Sequence, residues 1–270
     1  MLEQIVLKAP VFLLIVGRCF ALIMTLPLFS MRTIPRIAKI ALTGYMSYLL
    51  FPHIDFSVYE GIFTPNGVFS LNYILFLIGE IFIGVILGFY VTIIFTAFST
   101  AGQFFAFQMG FSASEVYDAL SQVENPLMGQ FFNLIAMLIF LQNHWAQKLF
   151  GGALVSSFET MNVFKLISDN GREKIVYFMM NGLTELFADA FVLALPIIGT
   201  LFLISVTMGI LSKAAPQMNL MSEGFPTMIL IAFFIITSLM GIFCDFFIRA
   251  FAAGFSNMEQ LFIFFNGGHE

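Results

Sequence analysis

The sequence predicts an all-α membrane protein built from long helical hairpins, and three observations lead there. Of 270 residues, 60% are hydrophobic and 10% charged, against roughly 45–50% and about 25% in soluble domains. The 11 basic and 16 acidic side chains are too few to give a soluble core of this size its polar shell. The charges are also placed as a bilayer demands, because between Gly61 and Ser114 the only formally charged residue is Glu80.

A hydrocarbon core of ~30 Å takes about 20 apolar residues as a helix, and that ruler divides the chain. The first apolar run covers residues 9–29; Arg18 interrupts it and no small-x-small cleavage site follows, so it reads as a retained segment rather than a signal peptide. A basic elbow, Met31-Arg32-Thr33-Ile34-Pro35-Arg36, leads into a short second run, 37–51, that contains Lys39. Residues 53–67 hold Pro65, Gly61 and Gly67 as breakers, which predicts a loop. The longest run, 69–98, would reach about 45 Å as a helix, so it must tilt, bend or leave the bilayer.

Residues 101–126 differ in kind, mixing Gly, Ser, Gln and Asn with Phe and the acids Glu115, Asp118 and Glu124, and predict a mobile or re-entrant connector. Another apolar helix, 127–141, ends at Gln142-Asn143-His144 and passes through Trp145 into a shorter amphipathic stretch. The most polar stretch, 165–174, marks a boundary. After it two long helices, roughly 175–211 and 225–255, form a hairpin through Ser212-Lys213-Ala214-Ala215-Pro216-Gln217-Met218-Asn219.

Charges inside these runs are the candidate functional residues. A charge at the centre of a spanning helix costs about 2.5–3.5 kcal/mol against about 0.5 kcal/mol gained per Leu or Ile, so the runs can carry one. Asp245 and Arg249 stand four apart, share a helix face and can pair directly. Glu185 and Asp189 have the same spacing and the same sign, so each needs a cation, water or a proton. Arg18 and Glu80 have no partner nearby in sequence; pairing across helices or with a neighbouring subunit would satisfy both. Gly84 and Gly88 form a small-xxx-small pattern that lets another backbone approach.

Several function classes are excluded. A net charge of −5 with no basic block argues against nucleic acid as a partner. Cys19 and Cys244 lie far apart in apolar runs and indicate neither a disulfide framework nor a zinc site. No phosphate-binding glycine loop, paired histidines on a helix, serine elbow or Cys/His cluster occurs. The expectation is a protein that is not an enzyme, with no catalytic, metal or cofactor site. An ion-coupled secondary transporter using Glu80, Glu185 and Asp189 is the alternative to a component of a larger assembly.

The turn between the last two helices narrows this. Ala214-Ala215-Pro216-Gln217-Met218-Asn219, followed by Gly224-Phe225-Pro226, resembles the signature of the FliR family of the flagellar type III export gate, which is similar to the SctT proteins of injectisomes. The resemblance extends to Arg18, Pro27, Pro35, Arg36, Gly79-Glu80, Gly84, Gly88, Ala101-Gly102 and Gln108-Met109-Gly110. It implies an inner-membrane subunit of the flagellar basal body that forms a channel for unfolded flagellar subunits with FliP and FliQ, next to FlhA and FlhB. It implies a FliP-like part over residues 1–165 and a FliQ-like hairpin over 166–270. It also implies that a segment near 105–126 plugs the closed pore, with Phe105, Phe107, Met109, Gly110 and Phe111 in it. Asn125-Pro126 stands where the family commonly has Asp-Pro.

Overall fold

The computed structural model describes residues 9–30, 34–54, 71–110, 127–215 and 223–267. Among them every regular element is a helix or helical turn. In chain order these are α1 (Ala9–Thr25), α2 (Pro27–Ser30), α3 (Arg36–Leu50) with a 3-10 turn (Phe51–His53), α4 (Leu71–Met109), α5 (Leu127–Gln142) and α6 (Trp145–Lys148). A π turn (Leu149–Ala153), α7 (Leu154–Thr160), α8 (Val163–Ile167), α9 (Asp169–Ala214) and α10 (Phe225–Phe265) complete the order. Three helices, α4, α9 and α10, are long and apolar enough to cross a membrane. This is an all-α membrane protein.

Local sequence explains where the elements stop, and it revises several expected boundaries. The first run breaks at Leu26, because Pro27 disfavours helical geometry in the residue before it. Helix α4 continues to Met109, through the first nine positions of the segment expected to be a connector. Ala101 to Gln108 contain no proline and only Gly102, so nothing stops the helix until Gly110, which takes a left-handed φ of 82°. The polar stretch at 165–174 holds a helix start: the Ser168 hydroxyl accepts from the Gly171 backbone N–H at 3.1 Å, and Asp169 sits in the first turn of α9. Helix α10 runs ten residues past its expected end at 255, to Phe265.

The chain divides into two compact units, each assembled from separated segments. The first comprises Met1–Ile93, His144–Gly182 and Ala253–Glu270. Within it α1 and the first half of α4 run parallel. Tyr73 OH donates to the Pro10 carbonyl at 2.9 Å at one end, and Thr92 Oγ1 donates to the Thr25 carbonyl at 2.8 Å at the other. Helix α3 packs on α1 with inverted polarity. Its buried residues are Lys39, Thr43, Ser47 and, at its end, Leu50, while Ile37, Ile40, Tyr45 and Leu49 are exposed. Both hydroxyls return to their own helix, Thr43 to the Lys39 carbonyl and Ser47 to the Thr43 carbonyl, each at 2.8 Å, so burying them leaves no hydroxyl donor unmet. Lys165 Nζ donates to the Thr160 and Phe265 carbonyls at 2.9 and 2.6 Å, a cation at the carbonyl ends of α7 and α10.

The second unit comprises Ile94–Asn143 and Leu183–Ala252. Its core is aromatic. Phe95, Phe98 and Phe105 of α4, Phe132 and Phe140 of α5, and Phe243, Phe247 and Phe251 of α10 stack or meet edge to face at centroid distances of 4.0 to 6.2 Å. The α10 residues recur every four positions, and so do Phe132, Ala136 and Phe140, which places each set on one helix face. Helices α4 and α5 touch where both lack side chains: a Cβ on Gly102 would overlap the Met128 carbonyl, and one on Gly129 would press on Ser99.

Candidate functional site

The strongest concentration of polar chemistry lies inside the first unit, where α1 meets α4 and α7. Arg18 and Glu80 are fully buried and form an ion pair. Arg18 Nε donates to Glu80 Oε2 at 2.6 Å, Nη1 donates to Ser157 Oγ at 3.0 Å, and Nη2 donates to the Met161 carbonyl at 3.1 Å. Ser157 donates its own proton to the Leu154 carbonyl at 2.6 Å, and the guanidinium lies 4.0 Å from the Phe158 ring centroid. A permanently charged group with five N–H donors is thus held by partners from separate parts of the chain.

Glycines in α4 make the approach possible. A Cβ on Gly84 would overlap the Arg18 carbonyl oxygen and the Ala21 side chain, and one on Gly88 would overlap the Thr25 hydroxyl. Just over a turn before Gly84, Gly79 faces Val163 of α8 so closely that a methyl would strike both of its γ-carbons. The small-xxx-small pattern therefore seats α1 against α4, and Glu80 sits one turn from the contact, level with Arg18. With a carboxylate on one side and neutral acceptors on the other, the network can pin three elements in one register. A buried charge that loses its partner costs several kcal/mol.

The structure brings Arg18 and Glu80 together and does not join Asp245 to Arg249. That second pair, expected to be able to pair directly, forms no ion pair, and both residues are exposed on α10. An exposed pair gains only about 0–1 kcal/mol, too little to hold two long side chains in one geometry. Glu185 is exposed and Asp189 is exposed in part on α9. Phe105 and Met109 are fully buried in α4, Phe107 is 74% exposed, and Gly110 closes the helix against the Phe225 ring; Phe111 lies outside the described residues. So do Pro216, Gln217 and Asn219; of the same turn, Gly224 is buried and Pro226 exposed at the start of α10.

Sequence reasoning did not single out Ser157, Phe158 or Met161. The only available signal was a Ser-Ser pair at 156–157 in an amphipathic stretch, and that pattern is common. The Met161 contribution is a backbone carbonyl freed where α7 ends, which no side chain advertises.

Residues 9–254 match the family described as bacterial export proteins, family 1. The flagellar biosynthetic protein FliR of Bacillus subtilis (strain 168) is 30% identical over 233 residues, covering 86% of this chain and 87% of that protein. The chain belongs to the FliR family of bacterial export proteins. FliR of Escherichia coli (strain K12) is 28% identical over 251 residues, 90% of this chain and 89% of its own length. The surface presentation of antigens protein SpaR of Shigella sonnei is 30% identical over 193 residues, 68% of this chain and 71% of its own length. The matched span contains every residue of the Arg18 network and all three long helices up to residue 254. The pinned α1–α4–α7 contact is thus a feature of a FliR-family membrane protein.

Proposed function

We propose that this chain is a non-enzymatic subunit of the flagellar type III protein export gate and forms, with FliP and FliQ, the channel through which unfolded flagellar subunits leave the cell. The observation that carries this reading is the family match across residues 9–254, together with relatives named as flagellar biosynthetic proteins. The exposed apolar surface fits a subunit of an assembly: in the most apolar stretches of α9 and α10 only 22% and 17% of residues are buried within the chain. On this reading the subunit sits in the inner membrane at the flagellar basal body, beside FlhA and FlhB, and the energy for export comes from an export ATPase and the proton motive force. Residues 1–165 provide the FliP-like part and 166–270 the FliQ-like hairpin.

In the same reading the segment after α4 closes the pore. Phe105 and Met109 anchor its base inside helical packing, and Phe107, exposed in the last turn of the helix, forms the seal with Phe111 and the residues after it. Gly110 supplies the left-handed hinge that Phe225 packs against.

Affinity purification of the tagged chain from native membranes tests the proposal. A stable complex containing FliP- and FliQ-like chains is expected. A monomer that carries a small solute across liposomes on its own would sink the proposal in favour of an ion-coupled transporter. Against that alternative, Glu80 is fully buried in an ion pair with Arg18.

A further inference from the structure

One face of α4 changes character along its length. Ile78, Ile81 and Phe89 are exposed on it, and Thr96, Ser99, Gln103 and Phe107 follow on the same face, because each step between them is three or four residues or two such steps together. Up to Phe89 the exposed side chains are large and apolar. Beyond it Thr96 and Gln103 are exposed and Ser99 is half-buried, all polar and uncharged, until Phe107 ends the face.

Helix α5 widens the polar part. A Cβ on Gly129 would lie 3.0 Å from the Ser99 hydroxyl oxygen and 3.4 Å from Gln103 Cγ, so α5 passes directly beside these two side chains. Asn133 stands one turn from Gly129 on the same face of α5, and Gln130 is exposed at its flank. All of these residues from Thr96 onward belong to the second unit.

Hydrogen bonds at this stripe are left unmade. Elsewhere in the long helices hydroxyls turn back on their own backbone: Thr92, Ser205, Thr207 and Thr237 each donate to the carbonyl four residues earlier. Among the described residues the side chains of Ser99 and Gln103 hold no hydrogen bond, and Asn133 Oδ1 is buried without one. A buried acceptor with no donor costs about 1–3 kcal/mol. Turning the Asn133 amide outward about its last torsion, which is soft, breaks no bond, since it holds none.

We propose that Thr96, Ser99 and Gln103 of α4, with Gln130 and Asn133 of α5, bind the main chain of an unfolded polypeptide in transit. Amides and hydroxyls both donate and accept, as main-chain N–H and C=O groups do, and a neutral stripe takes no account of the charge of the passing side chains. A resident helix bonds its main-chain groups internally and could offer only side chains here. An extended chain brings unpaired donors and acceptors with every residue. The spacing also permits movement: along α4 the groups stand about 4.5 and 6 Å apart, while an extended chain repeats on one edge every ~6.8 Å. The two do not lock in register, so the chain is held weakly and can advance. Phe107, assigned above to the seal, ends the same face, which puts the stripe next to the point of closure.

This proposal rests on the export reading, and its test separates the two. An export substrate fused to a domain that resists unfolding is arrested in transit, and the tagged full chain carries a photocrosslinking residue in place of Gln103, or of Ile78 on the apolar part of the face as control. Recovery of FliP- and FliQ-like chains together with the arrested fusion checks the export reading; without it that reading fails and this one with it. Where they are recovered, crosslinks to the fusion are expected from position 103 and not from 78. Crosslinks from 103 to a neighbouring subunit, whether or not the fusion is present, would make the stripe an assembly surface and overturn the proposal alone.

A second readout needs no label. Ser99→Ala combined with Gln103→Leu removes the polar groups at nearly constant size and should slow export roughly threefold or more, as the loss of about one net hydrogen bond would. The slowing should be equal for cargos of unrelated sequence, with recovery of partner chains unchanged, and Gln103→Asn, which keeps the amide, should export faster than the double variant. Unimpaired export, a defect confined to one cargo, or reduced recovery of partner chains would each overturn the main-chain role.

Discussion

The two units join their helices by different chemistry. In the first, α1 and α4 meet over glycines, and one guanidinium ties α1, α4 and the end of α7 through directed bonds to Glu80, Ser157 and the Met161 carbonyl. In the second, α4 and α5 also touch over Gly102 and Gly129, but what joins α4, α5 and α10 is eight phenylalanine rings whose contacts carry no hydrogen bond. A buried ion pair contributes little net stability but punishes the loss of one partner, whereas ring packing is graded and repairs itself partly by repacking. The first unit is thus specified and brittle, the second tolerant. If so, α4, which enters both, is fixed in register at its first half and adjustable at its second, the half that leads into the segment proposed as the plug.

The largest expected effect is the removal of one partner in the first unit. Glu80→Ala leaves Arg18 charged and buried, and should cost about 3–5 kcal/mol, read as loss of the chain from membranes and a lowered thermal midpoint in detergent. The double replacement Arg18→Met with Glu80→Leu should recover most of it, because no charge is then stranded. A double variant as damaged as the single one would show that the site needs its polar bonds as such, and the contrast between the units would lose its physical basis.

Next comes the aromatic core. Phe247→Ala should cost about 3 kcal/mol, while Phe247→Leu should cost only about 1 kcal/mol, since Leu keeps most of the volume. Measured by the same midpoint, a leucine as harmful as alanine would show that ring geometry, and not filled volume, holds this unit. Smaller again is Gly84→Ala, at about 1–3 kcal/mol, because one methyl must displace the Arg18 backbone. Gly241→Ala inside α10 has open space around its Cβ and should stabilise the isolated chain by about 0.4–1 kcal/mol.

How much of the fold and the site was legible beforehand divides in the same way. Arg18 and Glu80 stood out because a charge in an apolar run needs a reason, and Gly84 and Gly88 because their spacing puts them on one face. Pairing across helices was one of the readings open to them; what the sequence left undecided was whether the partner lay in this chain or a neighbouring subunit, because that depends on α1 and α4 running parallel, a fact about the path of the intervening chain. The long helices were read correctly in kind and too short in extent, since hydropathy marks only the apolar part of a helix. Ser168, Asp169 and Gln108 are polar yet lie at a cap or within α4 and α9. The inverted polarity of α3 was hidden for the opposite reason. Thr43 and Ser47 satisfy themselves on their own backbone, and so can face inward where a sequence reading expects apolar side chains.

The smallest effect sharpens the comparison most, because it places the same side-chain chemistry in the other unit. Asp245 and Arg249 are an acid and a base one helical turn apart, as exposed on α10 as Arg18 and Glu80 are hidden. Without burial there is no stranded charge to create, so Asp245→Ala and Arg249→Ala should each change the midpoint of the isolated chain by about 0.5 kcal/mol or less. Their double-variant cycle should show no coupling, while the cycle at Arg18 and Glu80 shows a large one. In the export-gate complex proposed above the order should change: Asp245→Ala should reduce recovery of FliP- and FliQ-like chains more than Arg249→Lys, which keeps its charge. A strong coupling between Asp245 and Arg249 in the isolated chain would mean that α10 buries them against something in solution, and the second unit would then have a polar pin of its own.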